Sequence, residues 1–153
     1  MISTTPRIFY LLQTAHSALF RAADRRLKDE FGISSTQLAV LFVLRGNDGL
    51  PISEIADRLR LRKSSLSGLI DRMTSSGLVR RETSAHDRRV QCIHIEDAGL
   101  IIAKEAAGLV KRINARLLLE YSKSEQEVIG RFLFQTAEKA DQLLTLTTRE
   151  SSK

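Results

Sequence analysis

The sequence predicts a mainly α-helical fold that contains one small β-hairpin. Two prolines and eight glycines occur in 153 residues, which favours long helices with few breaks. Apolar residues recur at spacings of three and four over most of the chain, as they do in helices that bury one face. Residues 78–95 differ, because two short stretches flank a charged tip there, a pattern typical of paired strands.

Two helices are predicted before a Gly-Asn-Asp-Gly turn. The first covers about residues 6–30, and Pro6 suits its first turn because a proline lacks the N–H that would have no partner there. The second covers about residues 36–45 and can be capped by Ser34 or Ser35. The first helix has a wide apolar face, which favours contact with more than one neighbour. Its apolar positions include Leu12, Ala15, Leu19, Ala22 or Ala23, and Leu27.

A short helix, a tight turn and a basic helix come next. Pro51 opens the short helix over residues 52–59, and residues 60–62 form the turn. In the basic helix, four apolar side chains recur at helical spacing and predict a buried stripe. They are Leu66, Leu69, Ile70 and Met73. Gly77 supplies the left-handed residue that ends this helix.

The outer face of the basic helix is small and polar. It carries Ser64, Ser67 and Gly68, flanked by Ser65 and Arg72, with Arg62 and Lys63 at its start. Small residues let a helix approach another surface closely, and the basic residues suit phosphates. Two short helices, a tight turn, a second helix with a small polar outer face and then a hairpin, in this order, predict a winged helix-turn-helix over about residues 34–95. In that fold the second helix enters the major groove of DNA.

The excess positive charge of the chain lies in this same unit. The whole chain has 24 Lys and Arg against 18 Asp and Glu, a net charge of +6. Residues 58–89 alone carry nine basic and three acidic side chains, so the charges of the remaining residues balance. This concentration on a predicted helix and wing favours a nucleic-acid surface over the alternative, a solvated basic face.

Two further helices are predicted after the hairpin. Asp97, or less favourably Glu96, can cap a long helix that ends near residue 121. The last helix starts at Ser122 or Ser124, and Ser124 with Glu127 fits the S-x-x-E capping box. The apolar positions of the first of these two helices are Leu100, Ile101, Ala107, Val110, Ile113 and Leu117.

The terminal helices, predicted over residues 6–30 and 97–148, are not needed by a winged helix. Either they enlarge one core within a single domain of residues 1–153, or they build a dimer. A dimer would align two recognition helices with successive major grooves of DNA. The rich apolar content at both ends of the chain favours the dimer.

Three stretches carry a resemblance to a known family: LPISEIADRL, the helix end SSGLVRRE, and the wing DRRVQCIHIEDAG. They are similar to the MarR family of winged helix-turn-helix transcription regulators. Gly77-Leu78-Val79 with Arg81 fits the family's G-L-V-x-R, and Asp87 with Arg89 fits its D-x-R wing tip. The six-helix layout extends the resemblance over almost the whole chain. It implies a homodimer, pseudo-palindromic DNA, and relief of repression by small, frequently aromatic, anionic ligands.

The chain departs from the family's pattern at four positions. Glu96 stands where the family usually has Thr, and Pro51 stands where a Ser or Thr cap is common. Both departures concern the starts of helices and leave the DNA surface alone. Arg62 and Gly68, at the entrance to the recognition helix and within it, point to an unusual recognised sequence.

The predicted DNA-binding residues lie on the recognition helix and the wing. They are Arg62, Lys63, Ser64, Ser65, Ser67, Gly68, Arg72, Arg88 and Arg89. The serine hydroxyls suit either bases or phosphates. Gly68 costs about 1 kcal/mol relative to Ala, and either close approach to DNA or tight packing against another helix explains that cost.

The three charged residues of the wing tip are predicted to have different roles. Asp87 is expected to brace Arg89, or another nearby arginine, because a lone carboxylate is unfavourable beside phosphates. Arg89 would then enter the minor groove, where A·T-rich DNA concentrates negative potential. Arg88 would contact the DNA backbone from the flank.

The sequence gives little support to catalysis. It contains no nucleophile elbow, zinc-protease, P-loop or dinucleotide motif, so we expect no enzyme and no cofactor. Three scattered histidines and one cysteine lack metal-ligand spacing, so no metal is expected either. His16 and Phe20 either line a ligand pocket or pack at a helix margin. Cys92, on the second wing strand, is open to a redox role.

The expected location is the bacterial cytoplasm, in contact with the nucleoid through DNA. A single cysteine fits a reducing compartment, and the longest apolar run is far too short to span a membrane. The expected partners are double-stranded DNA, a second copy of the chain and a small-molecule effector, without a membrane. The alternative function is a winged-helix DNA-architectural or protein-interaction module that has no effector.

Overall fold

The computed structural model describes residues 7–150, without the side chains of residues 144 and 146–150. The prediction that Pro6 lies in the first turn of a helix therefore falls outside the described residues. The same holds for the expectation that the side chains of Leu144 and Thr147 extend the apolar stripe of the last helix. Most of the chain is helical, as predicted. The elements in order are α1 (Ile8–Phe31), α2 (Ser35–Gly46), β1 (Leu50–Pro51), α3 (Ile52–Leu59), α4 (Lys63–Ser75), β2 (Val79–Thr83), β3 (Gln91–Ile95), α5 (Asp97–Leu117) and α6 (Lys123–Glu150).

The chain forms two compact units that divide within α5, between Leu109 and Val110. The first unit contains α1, the winged part and the start of α5. The second contains the end of α5 and α6. The boundaries predicted for one domain of residues 1–153 remain a prediction. Among the described helices, none has a stretch long and apolar enough to cross a bilayer.

The start of α2 is fixed by a capping box and by α1. The Ser34 hydroxyl accepts from the Gln37 N–H at 3.2 Å, and the Gln37 side chain accepts from the Ser34 N–H at 2.8 Å. Asp24 on α1 accepts from both the N–H and the hydroxyl of Ser35, at 2.7 and 2.6 Å. Of the two predicted caps, Ser34 is therefore the one used, while Ser35 joins the two helices.

The wing belongs to a sheet of three antiparallel strands in the order β1-β3-β2. The predicted hairpin is confirmed, with Val79 opposite Ile95 and Thr83 opposite Gln91. The third strand, β1, was not predicted, and it pairs Leu50 with Ile93. A strand of two residues is too short to show alternation. Its proline also argues against a strand except at a sheet edge, which is where β1 lies.

The core of the first unit lies between α2, α3, α4 and the sheet. The stripe predicted on α4 is confirmed, since all four of its apolar side chains are buried. Residues of the neighbouring elements are fully buried in the same unit, among them Leu41, Leu44, Ile55 and Ile93. Burial of this stripe leaves the polar face of α4 outward.

Two left-handed residues end the helices of the helix-turn-helix. Gly77 has φ 71°, its N–H donates to the Thr74 carbonyl, and the Leu78 N–H donates to the Met73 carbonyl. This is the predicted end of α4, and its two bonds form a Schellman motif. Arg60, after α3, has φ 53°, which is uncommon for a residue other than glycine. The turn between α3 and α4 is thus held in a locally unfavourable conformation.

Helix α5 approaches the core more closely than the sequence pattern predicted. Its buried residues are Gly99, Ala103, Ala106 and Leu109. They differ from the apolar positions predicted for this helix, most of which have larger side chains. A Cβ atom on Gly99 would overlap the Leu78 carbonyl oxygen and crowd Leu41. Of the two predicted caps, the less favoured Glu96 is the N-cap residue, because its carbonyl accepts from the Leu100 N–H. The helix ends at Leu117, earlier than the predicted end near residue 121.

In the second unit, α6 is capped by Ser122 and Glu125. The Ser122 N–H donates to Glu125 at 2.8 Å, and the Ser122 hydroxyl accepts from the Glu125 N–H at 3.4 Å. The predicted box of Ser124 and Glu127 is therefore wrong. Both pairs fit the motif, and the start of the helix at Lys123 selects the earlier one. The hydrogen bonds from Ser122 lower the pKa of Glu125.

Candidate nucleic-acid interface

The outward face of α4 presents the residues predicted to read DNA. Lys63, Ser64, Ser65 and Arg72 are exposed, and Ser67 and Gly68 are half-buried beside them. Arg62 occupies the N-cap position, and no side-chain hydrogen bond caps this end of the helix. The first N–H groups of an α-helix lack partners inside the helix and favour negative charge. The start of α4 therefore suits a DNA phosphate.

Gly68 has free space on its outer side. A Cβ atom placed on it would come no closer to a neighbour than 3.7 Å, to the Arg72 guanidinium. Tight packing against another helix of this chain, one of the two explanations left open, thus finds no support within the described residues. Close approach of DNA, the other explanation, stays a prediction.

The wing tip is shaped by main-chain hydrogen bonds. The Ser84 N–H donates to the Val90 carbonyl at 2.9 Å and closes the loop. Within the loop, Asp87 Oδ1 accepts from the Arg89 N–H at 2.9 Å, and the His86 N–H donates to the Ser84 hydroxyl. Asp87 thus contacts the Arg89 main chain, and its predicted bracing of an arginine side chain stays a prediction. Among the ion pairs of residues 7–150, none joins Asp87 to an arginine guanidinium.

A cleft of about 220 Å³ lies between the starts of α3 and α4 and the wing. Three of its lining residues are cationic: Lys63 from α4, Arg81 from β2, and Arg89 from the wing tip. The remainder are Pro51, Ile52, Ser53, Val90 and Gln91. A concave surface lined by charges of one sign focuses the potential and attracts the opposite charge. Lys63 and Arg89 are predicted to bind DNA from two different elements, and the structure places both at the same cleft.

Arg81 links α4 to the wing. Its Nη2 donates to Asp71 Oδ1 at 2.5 Å and lies 3.5 Å from the Ser67 carbonyl oxygen. From the sequence, Arg81 is recognised only as part of the G-L-V-x-R motif and is not among the predicted DNA-binding residues. The sequence feature that indicates this pair is Asp71 itself, because an acidic side chain on an otherwise basic outer face favours a cationic partner.

The base of the wing holds a second cluster that the sequence did not reveal. His94 lies between two carboxylates, with Nδ1 3.1 Å from Asp48 and Nε2 3.0 Å from Glu82. The other oxygen of Asp48 accepts from the Ile95 N–H at 2.8 Å. Burial raises the pKa of Asp48, but the hydrogen bonds from Ile95 and His94 and the charge of His94 outweigh it, so the pKa is lowered. This cluster ties the turn before β1 to both wing strands.

The candidate ligand-binding residues lie on the outside of α1. His16 and Phe20 stack on each other with ring centroids 4.4 Å apart, and both are exposed. Their ligand-binding role remains a prediction. Cys92 is half-buried on β3. In the described part of the chain, no three His, Cys, Asp or Glu side chains are grouped so that they could hold a metal ion.

An exposed polar helix beside a cation-rich wing defines a winged helix-turn-helix DNA-binding protein. The family model described as the MarR family matches residues 31–90. The HTH-type transcriptional repressor MdtR of Bacillus subtilis (strain 168) is 30% identical over 117 residues, which cover 74% of this chain and 76% of that protein. The chain belongs to the MarR family of transcription regulators.

Solved structures of MarR-type regulators share the fold. The MepR–DNA complex of S. aureus superposes with a TM-score of 0.79 at 22% identity, over 86% of this chain and 96% of MepR. The PcaV regulator of Streptomyces coelicolor, solved with its natural ligand, gives a TM-score of 0.75 at 24% identity, over 92% of this chain and 96% of PcaV. The predicted fold class and family are confirmed.

Replacing Gly68 with Ala should stabilise the fold and weaken DNA binding. Alanine is about 0.5–1 kcal/mol more favourable than glycine inside a helix, and the added methyl group meets no crowded neighbour. The same methyl group would hold DNA away from α4. Urea unfolding and fluorescence anisotropy with labelled DNA measure the two effects.

Gly46→Ala is the matched control, because its added Cβ atom also meets open space at the end of α2, away from the polar face of α4. It should leave DNA affinity unchanged. Parental DNA affinity in Gly68→Ala would contradict the close approach of DNA at this position.

Proposed function

We propose that the protein is a homodimeric repressor that binds a pseudo-palindromic operator and is released by a small ligand. The observation that carries the DNA part is the convergence of Lys63, Arg81 and Arg89 on the cleft beside the recognition helix α4. The printed names of two relatives support the proposal. MdtR is a transcriptional repressor, and MepR was solved bound to DNA.

Exposed apolar side chains support the homodimer. In the first unit, Phe9 is 78% exposed on α1, and Tyr10 is 58% exposed beside it. In the second unit, Leu119 is 80% exposed and Phe134 on α6 is 68% exposed. Soluble monomers rarely expose large apolar patches, whereas a two-fold dimer covers the same patch on both copies. The wide apolar face predicted for the first helix thus has few partners within its own unit, since only Leu27 of α1 is buried.

The decisive experiment measures the assembly and its preferred DNA together. Sedimentation equilibrium at low micromolar concentration should show a dimer. A duplex selected from a random library should contain an inverted repeat of roughly 20 bp, with half-sites about 10 bp apart, because two symmetric helices enter grooves one turn apart. A folded monomer or a single asymmetric site would contradict the proposal. Equal affinity for every duplex would favour the architectural module instead.

The two arginines of the wing tip should affect DNA binding differently. Arg89→Ala should weaken operator binding by about 1–3 kcal/mol, and part of the loss should depend on the flanking sequence, since Arg89 is proposed to enter the minor groove. Arg88→Ala should weaken binding to all duplexes about equally and lower the salt slope by about one unit, as expected for one backbone phosphate contact.

Anisotropy titrations over a range of salt concentrations separate these two effects. The variants are matched, because both arginines are exposed on the same loop and either change removes one charge. Melting temperatures should stay close to the parental value for both. Parental operator affinity for Arg89→Ala at every salt concentration would exclude the minor-groove role.

The effector is proposed to be a small aromatic or otherwise anionic compound. PcaV, a structural relative, was solved with its natural ligand, and His16 and Phe20 are the candidate contacts in this chain. A ligand that lowers operator affinity must bind more weakly, by the same factor, when DNA is present. A panel of aromatic acids should contain a compound that raises the melting temperature and weakens operator binding. No effect on either quantity would exclude the compounds tested.

A further inference from the structure

We infer that the Asp71–Arg81 ion pair is a positioning pair that fixes the recognition helix α4 relative to the wing. The inference rests on the proposed sequence-specific DNA binding and assigns a specificity role to two residues outside the predicted site. Neither residue needs to contact a base for this role.

Asp71 places a carboxylate on a helix face that is otherwise suited to DNA. It lies one position before Arg72 on the outer face of α4, and its side chain is 66% exposed. A carboxylate near the phosphates of DNA lowers affinity unless a cation compensates it. Its presence on this face is therefore best explained by a role that offsets the repulsion.

Arg81 is placed to couple the two DNA-contacting elements. It lies in β2 opposite Ile93, which is fully buried, and its own side chain is only 27% exposed. From this half-buried position its guanidinium contacts both Asp71 and the Ser67 carbonyl on α4. Among the polar contacts of residues 7–150, those that join α4 to the wing strands come from Arg81.

The pair also sets the geometry of the basic cleft. Arg81 lines the cleft together with Lys63 from α4 and Arg89 from the wing tip. With Arg81 held by Asp71, the wing keeps one distance from α4, and both elements can meet one DNA duplex at the same time. Without the pair, the wing would move more freely in the unbound protein. Fixing it on DNA would then cost conformational entropy, which lowers affinity for the correct site.

The substitution Asp71→Asn separates positioning from charge because the two effects have opposite signs. Removal of a negative charge alone would tighten binding to every duplex. Loss of positioning should instead weaken binding to the selected operator about tenfold, while binding to a scrambled duplex stays within about threefold of the parent. The readout is the ratio of the two affinities, measured by anisotropy with the full-length protein.

Three further variants complete the experiment. Asp71→Glu keeps the carboxylate and should retain most of the affinity ratio. Arg81→Gln should lower the ratio, and the double variant with Asp71→Asn should lose no more than Arg81→Gln alone, because partners in one interaction are not additive. Arg80→Gln removes the same charge from the same strand, but Arg80 pairs with Glu96 and Glu82 instead. It should weaken both duplexes equally and leave the ratio unchanged.

The outcomes distinguish this inference from the function on which it rests. If the parent does not discriminate between the two duplexes, the proposed function is overturned and the inference with it. If the parent discriminates but Asp71→Asn keeps the ratio, or the double variant shows additive losses, the inference alone is overturned. Melting temperatures should change by only a few degrees, since exposed ion pairs add little stability. A large loss of stability in Asp71→Asn would assign the pair to folding and overturn its positioning role.

Discussion

The burial of one apolar stripe on α4 determines how the winged unit is arranged. Leu66, Leu69, Ile70 and Met73 are covered by the elements around them, and each contributes about 1.5–3 kcal/mol when fully buried. A helix has a fixed period, so this burial also fixes which side chains point outward. The serines, Gly68 and Arg72 are exposed or half-buried because the stripe is inside. The core thus determines the orientation of the DNA-binding face.

The electrostatics of the unit show how a basic surface stays ordered without DNA. Nine cations lie within residues 58–89, where mutual repulsion would favour a spread arrangement. The structure restrains some of them with acids from neighbouring elements: Asp71 holds Arg81, and Glu82 and Glu96 hold Arg80. Lys63, Arg88 and Arg89 are left exposed toward solvent. The two arginines of β2 are therefore paired, while the three exposed cations are among those predicted to contact DNA.

Periodicity predicted the helices, the α4 stripe and the hairpin, because each is encoded by residues close in sequence. It did not predict features that depend on distant residues. Strand β1 forms only by pairing with β3, more than forty positions away. A pairing of Asp71 with a nearby arginine could be expected from the sequence, but its identity as Arg81 requires the fold of the wing over α4. The error at α6 had a different origin. Two overlapping S-x-x-E motifs are equivalent in sequence, and only the start of the helix selects Ser122.

Several locally unfavourable features lie together in the helix-turn-helix. Arg60 adopts a left-handed conformation, Gly68 weakens a helix interior, and Asp71 places negative charge on the face proposed to contact DNA. None of the three is the most stable choice for a winged helix without DNA. A glycine after α3, an alanine in α4 and a neutral residue at position 71 would each suit the free fold better. Such exceptions to local preference are expected to collect at functional sites. Their concentration on α3 and α4 supports the proposal that this surface, rather than the terminal helices, contacts DNA.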